Sequence, residues 1–419
     1  MESRWICFVM CLLFSCTQSE NQSQKEWFST DCSEAIAAGE EFGILPIPDT
    51  VPVKYKEVYC KYIKIDAPNG GPIHIFAQNE ISNEQMIYAR DLLAFYLEDF
   101  PGSQYGNDKS EVANKMADNG ATLVMRNGYD GKYRLNVRGL RGQPLYDEET
   151  IPIGTPEYLD TDNYRDASFE EILHLMHDRG IGIDISGYDE GATPEYQKEI
   201  RAALNNAHYD KRLWGHGSER RARWIAELKE EGSLTQEYLA AIVDSYYGLW
   251  GANTTRETGI GGYQAKTREA IAEKDPMGYA VMEKFFHPYL AFNARIDSGF
   301  EGTFSMTLDV ALPYTHKSQY LVNATLTGSN NSNLTGNDQD NRLSGNSGIN
   351  MLDGRSGKDT AVFSGPSAEY KITRVDDAIK VEDSISGRDG TDTLKNIGLL
   401  EFANTTLSVG ELPSIKNEM

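Results

Sequence analysis

Two stretches of this chain carry side chains whose types and spacing suit metal chemistry. Late in the sequence three nine-residue units follow one another: Gly336-Asn337-Asp338-Gln339-Asp340-Asn341-Arg342-Leu343-Ser344, Gly345-Asn346-Ser347-Gly348-Ile349-Asn350-Met351-Leu352-Asp353 and Gly354-Arg355-Ser356-Gly357-Lys358-Asp359-Thr360-Ala361-Val362. Gly336, Gly345 and Gly354 recur every nine residues, as do Asn341, Asn350 and Asp359, and Leu334, Leu343 and Leu352; Gly348 and Gly357 supply a second glycine. Glycine permits tight turns with inward carbonyls, the sixth side chain adds an oxygen, and the aliphatic eighth residue fills an interior. Oxygens returning at a fixed period suit a hard divalent cation. The other stretch is Ser168-Phe169-Glu170-Glu171-Ile172-Leu173-His174-Leu175-Met176-His177-Asp178. On a helix Glu170 and His174 stand four apart on one face, with Glu171 beside them.

The nine-residue units resemble the repeats-in-toxin (hemolysin-type) family, whose units read Gly-Gly-x-Gly-x-Asp-x-aliphatic-x and coil into a parallel β-roll. The resemblance implies Ca2+ held by Gly336, Asp338, Asn341, Gly345, Gly348, Asn350, Gly354, Gly357 and Asp359. Asn stands for Asp at two of the three sixth positions, and fewer carboxylates make a weaker site, adequate where calcium is roughly millimolar. The run Gly387-Arg388-Asp389-Gly390-Thr391-Asp392-Thr393-Leu394-Lys395-Asn396-Ile397 looks like the turn and strand that follow such repeats. Glu369-Tyr370-Lys371-Ile372, Ile379-Lys380-Val381 and Leu399-Leu400-Glu401-Phe402 read as short strands of a β cap.

The earlier stretch resembles the zinc metalloprotease helix His-Glu-x-x-His, with Glu170 standing where the first histidine would be. That likeness implies Glu170, His174 and a third ligand on Zn2+, with Glu171 as the catalytic general base. In the glutamate-dependent zincins the third ligand sits on a following helix. Here a helix over 234–250 offers Asp244, with Glu237 seven residues earlier on nearly the same face, and His208 and His216 are alternatives on loops. His177 and Asp178 read as surface charges near the helix C-terminus. The competing reading is a non-catalytic surface adhesin or binding module that keeps the fold and binds calcium only; Glu170 in place of histidine favours it. No Gly-x-Ser-x-Gly run marks a serine nucleophile.

These residues need elements to position them. Tyr62-Ile63-Lys64-Ile65 and Ile73-His74-Ile75-Phe76 flank Pro68-Asn69-Gly70-Gly71 and predict a β-hairpin. Ser82 is expected to cap a helix reaching Glu98, and a second helix from Ser110 to Ala117 precedes a strand, Ala121-Thr122-Leu123-Val124-Met125. Short strands are expected at 133–137 and 143–146. Ser168, three residues before Glu171, fits a capping box for a helix ending near Gly180, and further helices are expected at 194–207, 219–231, 234–250 and 265–273. The fold class is therefore α+β, with strands early and helices late. The order of elements resembles a zincin-like body over 31–320, followed by the β-roll at 325–365 and the cap at 366–412.

The 419 residues carry a net charge of −23, which argues against nucleic acid as a partner. Arg4 and an apolar run from Trp5 to Phe14 make a targeting segment too short to span a bilayer. Leu13-Phe14-Ser15-Cys16 resembles a bacterial lipobox, implying a signal peptide at 1–15, a lipid anchor on Cys16 and a flexible tether at 16–30; a plain secretory signal is the alternative. Cys32 and Cys60 remain in the mature body, and in an oxidising compartment they are expected to pair as a disulfide. The expected protein is an outer-membrane or cell-surface lipoprotein, alternatively periplasmic or secreted. Its expected partners are calcium, the membrane through its lipid, and a peptide or protein.

Overall fold

The computed structural model describes residues 31–130, 140–183 and 191–412. The expected signal peptide, Cys16, the tether and the strand at 133–137 lie outside these residues. The chain divides into two compact units, Met1–Leu97 with Asp108–Ile151 and Asp166–Gln197, and Glu98–Asn107 with Pro152–Arg165 and Lys198–Met419. Helices and strands are both abundant, and the sheets are mixed but mostly parallel. Among the described residues no helix is long and apolar enough to cross a membrane.

The first unit is built on a four-stranded sheet, β1 (Lys61–Asp66), β2 (Pro72–Ala77), β3 (Thr122–Arg126) and β4 (Gln143–Tyr146), in that order. The expected hairpin joins β1 and β2 antiparallel, while β2, β3 and β4 run parallel. Alternation along the strands supplies two buried faces. Tyr62, Phe76 and Val124 lie in register and cluster with Tyr55 and Tyr59. Ile63, Ile75 and Leu123 point the other way, the side on which α3 (Asn83–Tyr96) packs. Helix α3 starts at a full capping box, with Ser82 and Gln85 each accepting the other's backbone N–H. It follows the short helices α1 (Ser33–Gly39) and α2 (Val53–Lys56) and precedes α4 (Ser110–Asp118). Cys32 and Cys60 are joined by a disulfide, with their Cα atoms 5.8 Å apart.

The second unit holds α5 (Pro156–Leu159), α7 (Pro194–Asn205, whose first residues belong to the first unit), α8 (Glu219–Glu231), α9 (Leu234–Tyr246), α10 (Arg268–Lys274), α11 (Pro276–Glu283) and α12 (Thr315–Ser318). Helix α9 is buried almost all round, from Tyr238 to Tyr246. The hydroxyls of Tyr238 and Tyr263 both donate to Asp275 Oδ2, and the other oxygen of Asp275 caps α11. That helix was not expected, although Asp275-Pro276 is a helix-start signal.

Beyond α11 come two six-stranded sheets. Strands β5 (Leu290–Ile296), β7 (Leu321–Leu326), β9 (Arg342–Ser344), β11 (Thr360–Val362), β15 (Leu399–Phe402) and β16 (Thr405–Ser408) form one. The other contains β6 (Thr303–Ser305), β8 (Asn333–Thr335), β10 (Ile349–Asp353), β14 (Thr391–Lys395), β13 (Ala378–Asp383) and β12 (Tyr370–Val375). From β5 to β11 successive strands alternate between the sheets and pair in parallel. Leu334 faces Leu352 and Arg342 faces Thr360, so a circuit takes two nine-residue units. The eighth-position residues Leu334, Leu343, Leu352 and Ala361 are buried, and Leu394 and Leu400 continue their rows.

Two features differ from the sequence expectation. The sheets begin at β5, well before the nine-residue period, because Phe292, Ala294, Ile296 and Phe304 fill the same interior without the glycine-rich turns. Strand β15, expected in the cap, instead pairs in parallel with β11, and β14 pairs in parallel with β10. Only β12, β13 and β16 add antiparallel edges.

Candidate metal centres

The first candidate centre lies on α6 (Ser168–Met176), in the first unit. Ser168 does not cap this helix. It is the first helical residue, after Ala167 at the N-cap; Asp166 Oδ1 accepts its N–H at 3.0 Å while Asp166 Oδ2 accepts the Tyr88 hydroxyl. The Tyr96 hydroxyl donates to the Phe169 carbonyl at 3.0 Å, fixing the first turn against α3. Glu170 and His174 are both buried, one turn apart. Glu171 is partly exposed; its Oε2 lies 3.9 Å from His174 Nδ1 and accepts from Gln143 Nε2, on β4, at 2.6 Å. His177 is fully buried rather than a surface charge, with Nε2 2.6 Å from Gln197 Oε1. Asp178 is half-buried beside Arg179, and burial pushes its carboxyl above the usual range against the pull of that guanidinium.

The later candidates for this centre lie in the second unit. Asp244, on α9, is fully buried, and its Oδ2 accepts from Arg165 Nε at 3.2 Å, Arg165 Nη2 at 3.1 Å and Trp250 Nε1 at 3.2 Å. It already serves a guanidinium. Glu237, two turns earlier on α9, is half-buried. His208 and His216 stack with ring centroids 4.6 Å apart, His208 Nδ1 lying 3.0 Å from the Trp214 carbonyl and His216 Nε2 2.7 Å from the His208 carbonyl. These imidazoles lock a turn. The buried Tyr247 hydroxyl donates to the His287 carbonyl.

The stacked turns between the two sheets form the second candidate centre. The sixth-position side chains Asn341, Asn350 and Asp359 are all buried, whereas Asp338 is exposed. The glycines answer to close backbone approach. A Cβ on Gly336 would lie 2.2 Å from Asn341 Oδ1, and one on Gly345 2.6 Å from Asn350 Oδ1. A Cβ on Gly348 would lie 2.7 Å from the Asn330 carbonyl oxygen, and one on Gly357 2.4 Å from that of Gln339. On Gly354 it would meet Asp359 Oδ2 at 2.5 Å.

Asp392, which the sequence reading passed over, is buried on β14 opposite Asn350. Its signal was present: Gly387, Gly390, Asp392 and Leu394 occupy the first, fourth, sixth and eighth places of a further unit, displaced by the β12–β13 hairpin. Among the described residues Asp359 Oδ2 and both oxygens of Asp392 have no hydrogen-bond partner. Burial pushes the Asp359 carboxyl up to about 6, and Asp340 and Asp353 add to the shift against the Asn341 N–H. Burial, followed by the charge of Asp389, pushes Asp392 well above the ordinary carboxylate range. Buried carboxylates in oxygen-lined turns fit a hard cation.

No protein-family model matches this chain, and no curated protein matches it.

Proposed function

We propose that the chain is an exported calcium-binding protein whose body is a divalent-metal peptidase. The observation that carries the catalytic half is the burial of Glu170 and His174 one turn apart on α6, with Glu171 beside them and tied to β4. Glu170 and His174, both on α6, offer two side-chain donors for one ion. Asp244 is a poor ligand for any ion, because the guanidinium already bonded to it repels a second cation. An imidazole with a carboxylate is a harder and less zinc-selective pair than two histidines. When bound, such a metal supplies Lewis-acid polarisation of a peptide carbonyl. Glu171 accepts the proton of the attacking water, and the amide of Gln143 holds that carboxylate in place.

The calcium half is supported by the eighteen-residue circuit and the buried sixth side chains, which suit a parallel β-roll. The Cys32–Cys60 disulfide accords with export. In this reading the lipid on Cys16 anchors the body to the outer membrane or cell surface; a plain secretory signal would leave it periplasmic or secreted.

Metal analysis of the full chain, with hydrolysis of a mixed peptide library by wild type and Glu171→Gln, tests the peptidase. The expected outcome is a transition metal retained in both proteins and hydrolysis lowered about 10²–10⁴-fold in the variant. Protein without such a metal, or activity indifferent to the substitution, ends the reading. A non-catalytic adhesin is the second reading, and Glu170 standing where the metalloprotease helix has a histidine favours it.

A further inference from the structure

We infer that side-chain amides take the place of metal in the early turns of the stack, and that divalent cations are confined to two later positions, at Asp359 and Asp392. The inference rests on the calcium reading above and sets which turns bind. A cation between stacked turns needs main-chain carbonyls as ligands. In the early turns those carbonyls are already taken. Asn337 Nδ2 donates to the carbonyls of Gln319 at 3.1 Å and Leu321 at 2.8 Å. Asn341 Nδ2 donates to the Val322 carbonyl at 3.3 Å and to Asn337 Oδ1 at 2.9 Å. One unit on, Asn346 Nδ2 donates to the carbonyls of Thr327 at 3.0 Å and Asn330 at 3.1 Å, and Asn350 Nδ2 to that of Ser332 at 2.8 Å. Each amide oxygen is also engaged: Asn341 Oδ1 accepts the Asn337 N–H, and Asn350 Oδ1 the Asn346 N–H, both at 2.8 Å. An N–H pointing into a ring of carbonyls repels a cation and does its cross-linking work.

At the later positions the chemistry inverts. Asp359 is fully buried; its Oδ1 accepts the Asn341 N–H at 2.9 Å, while Oδ2, close over Gly354, has no partner among the described residues. Among the described residues neither oxygen of Asp392 has a hydrogen-bond partner. A Cβ on Gly345 would lie 2.7 and 2.9 Å from the two oxygens of Asp392 and 2.6 Å from Asn350 Oδ1, so all three oxygens crowd one point on the turn. Gly390 brings the Ser347 and Gly348 carbonyls up to the same strand. Asp389 and Asp392 add negative charge, and no cationic side chain bonds to Asp392 among the described residues. The β12–β13 hairpin thus returns the chain so that a carboxylate tops the Asn350 turn, where a cation would tie β14 to the repeats.

Titration calorimetry of the full chain with CaCl2 decides the matter, alongside Asp359→Asn, Asp392→Asn and Asn346→Ala. Wild type is expected to bind two calcium ions and each Asp→Asn variant one. Each Asp→Asn change should also raise the unfolding midpoint in EDTA, because it removes a buried charge, which shows that the variant has folded. Asn346→Ala should lower that midpoint and leave the count at two. Three or more ions in wild type, two in Asp392→Asn, or loss of calcium from Asn346→Ala overturns this inference while the calcium reading stands. Wild-type protein that takes up no calcium ends both.

Discussion

Burial opposes charge of either sign, and Lys61 and Asp359 show two ways a fold can meet that cost. Burial pulls the Lys61 ammonium down to about 8, and its compensation is neutral: the ammonium donates to the Ile81 carbonyl. An unfolded lysine titrates near about 10.4. Between these values the unfolded chain binds more protons, so this residue makes the first unit more stable as pH rises from about 8 towards 10. Lys61→Met should abolish that increment and raise the unfolding midpoint at pH 7. Urea denaturation of both proteins at pH 7 and 9.5 reads it out, and an equal pH response would refute it. Asp359 Oδ2 has no such neutral partner among the described residues, and a cation would fill that place. Residue chemistry of this kind was only partly legible. The Gly, Asn/Asp and Leu period marked the turns and which sixth side chains can donate, but not the carbonyls that the Asn341 and Asn350 amides meet, eighteen or nineteen residues back. Asp392 escaped because the hairpin between it and the repeats interrupts the count.

At the scale of elements, local signals read well and long-range ones poorly. The β1–β2 turn at Asn69-Gly70 and the Ser82 cap are decided within a few residues, and both form as expected, the cap as a full capping box with Gln85. The expected Ser168 capping box did not form, because Ser168 is already the first helical residue and its N–H goes to Asp166, which also holds Tyr88. Strand β15 has no local mark of parallel pairing, and the repeat-like spacing before β14 stands about forty residues from its partner, across the β12–β13 hairpin. The Cys32–Cys60 bridge joins elements across a separation of 28 residues. Chain-entropy reasoning assigns such a loop about 3–4 kcal/mol. Replacing both cysteines by alanine should lower the stability of the first unit by roughly that amount and leave calcium uptake unchanged. Urea titration followed by tyrosine fluorescence, with calorimetry for calcium, checks both halves, and an unchanged transition would mean that the bridge constrains little.

The whole molecule poses a question that no single residue answers, because a net charge of −23 attracts every divalent cation whether or not it has sites. Screening of the carboxylates would stabilise the fold with calcium and magnesium alike, since both carry the same charge. Sites behave differently. Calcium accepts six to eight oxygens in irregular geometry, whereas magnesium holds its waters and demands a regular octahedron. The turns around Asp359 and Asp392 are irregular and built from main-chain and side-chain oxygens, so they should discriminate. With dissociation constants of about 0.1–1 mM, as in extracellular modules, a tenfold excess of calcium contributes about 1.4 kcal/mol per site. The full chain should therefore reach a given rise in unfolding midpoint at a calcium concentration about tenfold below that of magnesium, with ionic strength held constant by KCl. Coincident curves would assign the effect to the charge of the surface and leave the stacked turns held by their amides alone.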